Sequence, residues 1–243
     1  MKLLQLNMWG GRLEPQILKL VTSEDPDILC LQEAIDLKGG KGALFVTTEE
    51  IQEAIGAKYA YVSPNFSLRF MSRTANFSNC ILSKFPIKHK ETIFTGNQYI
   101  ADFDWLNHSS NIRNLQRVAI KLPDGRELNV LNHHGYHNHQ HKRGDEETMR
   151  QCGIIANKIK ELKNPVILGG DFNLEPHSES LELINKLLRN LTIEAGLTTT
   201  RTPLTHKTEV CDYIFVSEDI KVTRFKAVEE IVSDHQALVL NFE

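Results

Sequence analysis

The stretch PVILGGDFNLEP, residues 165–176, runs apolar, breaks at two glycines and then presents a carboxylate and an amide, Asp171 and Asn173, with one Phe between them. Residues i and i+2 of an extended chain point the same way, so the two polar groups would leave a strand end together while Phe172 turns back into the protein. The same composition suits an Asx-turn closing a strand, and this stretch alone supports either reading. The pattern recurs along the chain. Apolar runs end in Asn7, in Glu33 (ILCLQEA) and in Asn132, His133 and His134 (LNVLNHHGYH). Asp212 opens CDYIFVS, and Asp234 and His235 stand before the last apolar run in SDHQALVL. One polar residue at a strand end is commonly a cap or a loop residue. Six such ends, carrying Asn, Asp, Glu or His, make a chemical inventory.

If these ends converge, Glu33, Asp171 and Asp234 with the amides of Asn7 and Asn173 make an all-oxygen environment, which suits Mg²⁺ or Mn²⁺ better than zinc. His134 and His235 would donate hydrogen bonds to phosphoryl oxygens and stabilise charge that grows in a transition state. A carboxylate facing a histidine, here Asp212, would orient the ring and favour its protonated form. The set is equipment for phosphoryl transfer, without a nucleotide-cradling glycine loop.

The elements that would position these groups are legible as short apolar runs. Strands are predicted over Lys2–Leu6, Ile28–Gln32, Tyr59–Val62, Cys80–Ser83, Lys88–Phe94, Val118–Leu122, Leu128–Asn132, Val166–Leu168, Tyr213–Val216, Val222–Val228 and Ala237–Phe242. The Pro-Asp-Gly turn in KLPDGRELNV marks an antiparallel hairpin. Helices are predicted over Gln16–Thr22 behind Pro15, over Ile51–Ile55 behind a Thr47–Glu50 capping box, over Asp145–Leu162, and after Ser178. In the third, Met149, Cys152, Ile155, Ile159 and Leu162 share one face. Strands in consecutive pairs with a few helices between them predict an α/β (α+β) fold of two mixed, mostly antiparallel sheets with helices outside. The 243 residues contain no Pro- or Ser-rich linker and fit one domain, 1–243.

Lys and Arg total 28 against 31 Asp and Glu, a net charge of −3, so no global basic field draws the protein onto polyanions and phosphate binding must be local. The dispersed Cys30, Cys80, Cys152 and Cys211 read as reduced core residues. The start lacks a signal-peptide pattern and no stretch approaches the ~18 apolar residues of a membrane span, so the expectation is a cytoplasmic monomer.

The ordered series Asn7, LQE at 31–33, SNCILSKFPI at 78–87, LNHH at 131–134, GGDFN at 169–173, CDYIFVS at 211–217 and SDHQAL at 233–238 resembles the endonuclease/exonuclease/phosphatase superfamily of deoxyribonuclease I-like metal-dependent phosphoesterases. The resemblance covers nearly the whole chain. It implies a four-layer α/β sandwich and a metal-dependent attack of water on a phosphate ester. Glu33 matches the metal ligand, Asn7 the amide beside it, and Asp234 a carboxylate near the metal. Asp171 matches the carboxylate that orients or deprotonates the attacking water, and Asn173 an amide on the phosphate. His235 matches the histidine that steadies the phosphoryl group, Asp212 its orienting partner, and His134 a second phosphate-facing histidine. That second histidine resembles deoxyribonuclease-, sphingomyelinase- and inositol-phosphatase-like members and is lacking in abasic-site endonucleases. Arg113, in NIRNLQRVAI, falls where deoxyribonuclease-like members carry a phosphate-contacting arginine.

The functional expectation is a Mg²⁺-dependent phosphodiesterase of nuclease type. The alternatives are a phosphatase or sphingomyelinase-like enzyme on a small or lipid phosphate, and a non-catalytic module that binds a phosphorylated ligand. The substrate could be a nucleic acid, a nucleotide, or a small or lipid phosphodiester. Arg69, Arg73, Lys84, Lys88 and Lys90 could follow a nucleic-acid backbone and Trp105 or Tyr99 could stack on bases, although scattered cations are usually a solvated face. Thr95–Asn114 is too irregular for a strand and reads as a pocket-bordering loop. The loop with His133, His134, His137, His139 and His141 is either a second metal site or a catalytic His134 with rim residues. Lys142 and Arg143 either meet an anionic substrate or start a helix.

Overall fold

The computed structural model describes residues 1–37, 44–70 and 73–243. Twelve strands occur among them: β1 Lys2–Asn7, β2 Ile28–Leu37, β3 Tyr59–Phe70, β4 Arg73–Ser83, β5 Ile87–Phe94, β6 Asn114–Lys121, β7 Glu127–His134, β8 Val166–Asp171, β9 Arg189–Asn190, β10 Asp212–Val216, β11 Val222–Ala227 and β12 Leu238–Phe242. Every predicted strand forms. β3 and β4 run far beyond the predicted Tyr59–Val62 and Cys80–Ser83, through SPNFSLRF and RTANFSN. These stretches lack clean alternation, and pairing with each other and with β2 holds them extended. Pro64 is tolerated because β3 is an edge strand, where a missing donor is cheapest.

The helices are α1 Glu14–Glu24, α2 Thr48–Ile55, α3 Glu146–Glu161, α4 Glu179–Asn185 and the single turn α5 Leu191–Glu194. Local chemistry starts them: Pro15 stands in the first turn of α1, Thr47 and Glu50 close a capping box on α2, and the side chains of Asp145 and Ser178 accept first-turn N–H groups of α3 and α4.

The strands form two six-stranded mixed sheets, ordered β11-β12-β1-β2-β4-β3 and β5-β6-β7-β8-β10-β9. Only β1–β2 and β7–β8 are parallel. α1 and α2 cover the outer face of the first sheet, around Leu4, Leu6, Ile17 and Ile51, while α3 and α4 cover that of the second, around Leu131, Ile155, Leu168 and Ile184. The inner faces meet through Leu3, Ile28, Val130, Ile167, Ile214 and Leu240, which completes the four layers.

Strand alternation then selects what lies between the sheets. On β1 the inward row is Leu3, Gln5, Asn7; on β7 it is Leu128, Val130, Asn132, His134; on β8 it is Ile167, Gly169, Asp171; on β10 it is Val216, Ile214, Asp212. Each row passes from apolar to polar toward the same end of the sandwich. Buried amides occupy the middle: Gln5 Nε2 donates to Gln32 Oε1 (2.8 Å), Gln32 Nε2 to Asn132 Oδ1 (2.6 Å), and Asn132 Nδ2 to the carbonyls of Leu31 and Cys80 (2.9 and 3.2 Å). Burying one large apolar side chain contributes about 1.5–3 kcal/mol, against about 1 kcal/mol net for a hydrogen bond. The apolar ends therefore hold the sheets together, and the amides fix how one sits on the other.

Gly170 explains one half of the Gly-Gly pair. A Cβ there would lie 2.1 Å from the His133 carbonyl oxygen of the parallel neighbour β7. Gly170→Ala should destabilise the fold by about 2 kcal/mol or more, read as a lower midpoint in a denaturant titration. An unchanged midpoint would show that the strands can part without cost.

Candidate active site

The ends of β1, β7, β8 and β10, a bulge in β2, the turn before β12 and a strap at residues 200–202 meet at the polar end of the sandwich. Alternation alone would point Glu33 outward with Leu31, but a bulge between Leu31 and Ala34 inserts an extra residue, and Glu33 takes a left-handed φ of 51°. That turn carries its carboxylate to Asn7, whose Nδ2 donates to Glu33 Oε1 (3.2 Å) and to Asp171 Oδ2 (3.0 Å). Asn7 Oδ1 accepts from the Trp9 N–H (3.1 Å), so here the amide joins the two carboxylates. His134 Nε2 lies 3.9 Å from Glu33 Oε1 and 3.8 Å from Asp171 Oδ2.

His235 completes the group from the other side. Its Nδ1 is 2.8 Å from Asp212 Oδ2 and its Nε2 is 3.6 Å from Asp171 Oδ2. Asp212, with no solvent exposure, also accepts from Thr200 Oγ1 (2.8 Å) and Gln5 Nε2 (3.2 Å). Asp171, Asp212 and His235 offer atoms within 4.8 Å of one another, a spacing that could hold a metal ion. Both oxygens of Asp212 are already engaged, however, so this trio serves better to orient the histidine. Glu33 and Asp171 fit a hard cation better. They are oxygen donors facing each other across Asn7, burial pushes the Glu33 carboxyl pKa up, and no Lys or Arg among the described residues forms a salt bridge with Glu33. Asp234 sits further along the rim, 4.0 Å from Arg201 Nη1 and 3.9 Å from His235 Nε2.

At Asp171 the Asx-turn reading of GGDFN is the one that holds. The Asn173 N–H donates to Asp171 Oδ1 (2.9 Å) in an Asx-turn, and Asn173 adopts φ 54°, so strict alternation stops at Phe172. Phe172 packs on the helix-covered outer face against His133, Tyr213 and Phe215, as alternation requires. Asn173 Oδ1 accepts from the buried Lys142 Nζ (2.7 Å), and Asn173 Nδ2 donates to the Gly135 carbonyl (3.3 Å).

The electrostatics separate the titrating groups. Burial alone would raise the Asp171 pKa, but the His235, Arg201 and Lys142 charges hold it far below the ordinary carboxylate value. Burial alone would lower His235, but the Asp212 and Asp171 charges bring it up to about 9. Burial, then the Arg113 charge, push His134 well below the usual imidazole value, so it is neutral. Burial lowers Lys142 to about 8.

A cavity of about 320 Å³ opens beside Glu33 and His134, lined by Trp9, Arg12, Phe66, Phe77, Trp105 and Arg113, among others. The irregular segment after Thr95 does border it, through Trp105 and Arg113. Arg113 Nε is buried without a hydrogen-bond partner. His137 and His139 lie on the cavity wall with ring centroids 4.6 Å apart, and among the described residues neither belongs to a metal-ligating group of three. Lys84 lies at the opposite end, bonded to Asp25 before β2, and Lys90 donates to the Ala60 carbonyl, so neither extends the site.

Residues 4–235 match the family model for the endonuclease/exonuclease/phosphatase family. The chain belongs to that family. Its members are phosphoesterase hydrolases. No curated protein matches the sequence. Among solved structures, an endonuclease/exonuclease/phosphatase from Beutenbergia cavernae is similar over 100% of this chain and 71% of its own, with a TM-score of 0.77 and 17% identity. A mannosyl-6-phosphatase from Bacteroides thetaiotaomicron is similar over 100% and 99% (TM-score 0.74, 19% identity), and the human nocturnin catalytic domain with bound sulfate over 100% and 93% (0.69, 17%). These likenesses show the endonuclease/exonuclease/phosphatase fold.

Sequence reasoning passed over Gln5, Thr200 and Arg201. Gln5 sits mid-strand in an apolar run, where its row becomes visible only once the sheets face each other. Thr200 and Arg201 sit in a loop and reach the site through an isolated antiparallel bridge between Arg201 and His235.

The raised pKa of His235 means that the imidazolium persists below about pH 9 and is lost above it. Asp212→Asn removes the first charge that raises it, so the His235 midpoint, followed by NMR at fixed Mg²⁺, should move to lower pH. A midpoint that stays in place would show that Asp212 does not set the charge on the ring.

Proposed function

We propose that residues 1–243 form a single catalytic domain that hydrolyses a phosphodiester with Mg²⁺, or with Mn²⁺ in its place. The observation that carries this reading is Asp171 Oδ2, which is bonded to Asn7, lies 3.6 Å from His235 Nε2 and 3.8 Å from His134 Nε2, and is kept ionised by the surrounding cations. A carboxylate held in its ionised form between a cation-binding edge and phosphate-facing histidines suits the positioning of water for attack.

Glu33 and Asp171 would hold the cation, with the Asn7 amide steadying both carboxylates and Asp234 nearby on the rim. When bound, the cation would neutralise the scissile phosphate and lower the cost of charge build-up. Asp171 would orient water for in-line attack. His235, aligned by Asp212, would donate from Nε2 to a phosphoryl oxygen, and neutral His134 would donate to a second. Asn173, tied to Lys142, would line the phosphate side, and Arg113 would meet the phosphate from the cavity.

A second reading, hydrolysis of a small or lipid phosphate ester, is favoured by the cations that do not track from the site. Lys84 and Lys90 are engaged elsewhere, and the cavity beside the site is compact. The similar structure described as a mannosyl-6-phosphatase supports including monoesters in the test.

The test is a panel of oligonucleotides, sphingomyelin, inositol phosphates and chromogenic mono- and diesters, with Mg²⁺, Mn²⁺ or chelator. At least one ester should turn over, chelator should abolish turnover, and Asp171→Ala should lower kcat by about 10²–10⁴-fold with a folded circular-dichroism spectrum. Binding of phosphorylated ligands without any hydrolysis would identify a binding module instead.

A further inference from the structure

The backbone around Arg201 directs its side chain at the atom that the proposed reaction needs most. The Thr202 N–H donates to the Asp234 carbonyl (3.1 Å) and the Gln236 N–H to the Thr200 carbonyl (2.7 Å), so Arg201 and His235 form a non-hydrogen-bonded antiparallel pair. Such pairs bring Cα atoms to about 4.5 Å and set the two side chains side by side on one face. Thr200 and Thr202 hold the strap from both flanks, bonding Asp212 Oδ2 and the Ser233 carbonyl. The outcome is a close contact between Arg201 Nη1 and His235 Nε2, which are both donors when the ring is protonated and so call for an acceptor between them.

Arg201 is 6% exposed, its Nε has no hydrogen-bond partner, and its nearest salt-bridge carboxylate, Asp234, is 4.0 Å from Nη1. A guanidinium has five donors and keeps its charge, and burying it is costly unless acceptors satisfy it. A phosphoryl oxygen that accepts from His235 Nε2 must come within about 2.7–3.2 Å of that nitrogen, which brings it against Nη1 as well.

We propose that Arg201 is a second phosphate-binding catalytic residue, whose guanidinium donates to the same phosphoryl group as His235 and shares or replaces the contact with Nε2. The inference rests on the phosphoesterase reading. It adds a cation that neither the apolar runs nor the motif residues include.

Inorganic phosphate binding, measured by calorimetry with Mg²⁺ present, tests this without turnover. Arg201→Met should weaken phosphate binding by about tenfold or more, the scale of one hydrogen bond between charged groups, and Arg201→Lys, which keeps the charge, should recover part of the loss. In a His235→Ala background, Arg201→Met should still weaken binding. Equal phosphate affinity in the parent and Arg201→Met, or no phosphate binding by the parent, would overturn the proposal. So would the absence of further loss in the His235→Ala background, since Arg201 would then act only by orienting the ring. A parent that binds phosphate in an Arg201-dependent way yet hydrolyses no ester would uphold Arg201 as an anion ligand and remove the enzymatic reading.

Discussion

A fully buried carboxylate, Asp212, imposes the constraint to which the rest of the site conforms. A charge taken out of water is tolerated only where partners surround it, and Asp212, on β10 of the second sheet, draws those partners from the first sheet and from the strap. Gln5 reaches it from β1, Thr200 from the strap and His235 from the turn before β12. Satisfying one anion therefore aligns the two sheets, seats residues 200–202 beside 234–236, and points His235 Nε2 at Asp171. Shape and reactivity rest on the same hydrogen bonds.

The inward rows explain why the polar groups accumulate at one end. Each strand carries its apolar residues toward one end of the sandwich and its amides and titrating groups toward the other, so interior polarity rises along the strands. The amide layer of Gln5, Gln32 and Asn132 marks the boundary. Below it, dispersion and hydrophobic burial hold the sheets. Above it, hydrogen bonds and charges strengthen because water is largely excluded. Glu33 breaks the row rule within its strand, and it needs a bulge and a left-handed backbone to do so. Backbone strain held in this way is characteristic of residues aimed by the fold at a site.

Charge within the site is balanced unevenly. Arg113, Lys142 and Arg201 all act on Asp171 electrostatically, while the nearer His134 is neutral and His235 is held toward its cation. Two imidazoles about equally distant from one carboxylate thus take opposite protonation states. The difference arises from Asp212, which stands behind His235 and has no counterpart behind His134.

The sequence by itself determined the strand inventory, the helix starts at Pro15, Thr47 and Asp145, and the residue types that gather in the site, because these depend on local alternation, capping and composition. It also carried the family resemblance through GGDFN and SDHQAL. What it left open was settled by contacts between residues far apart in the chain. Long polar strands such as β3 and β4 are extended because neighbouring strands pair with them. Lys84, a candidate for substrate contact, is committed at the far end to Asp25. Arg201, which no local pattern marks, faces His235 because two short segments about 30 residues apart pair in one particular register. Local rules act over a few residues and fix type and periodicity, whereas register, sheet facing and the pairing of buried charges exist only once the chain has closed on itself.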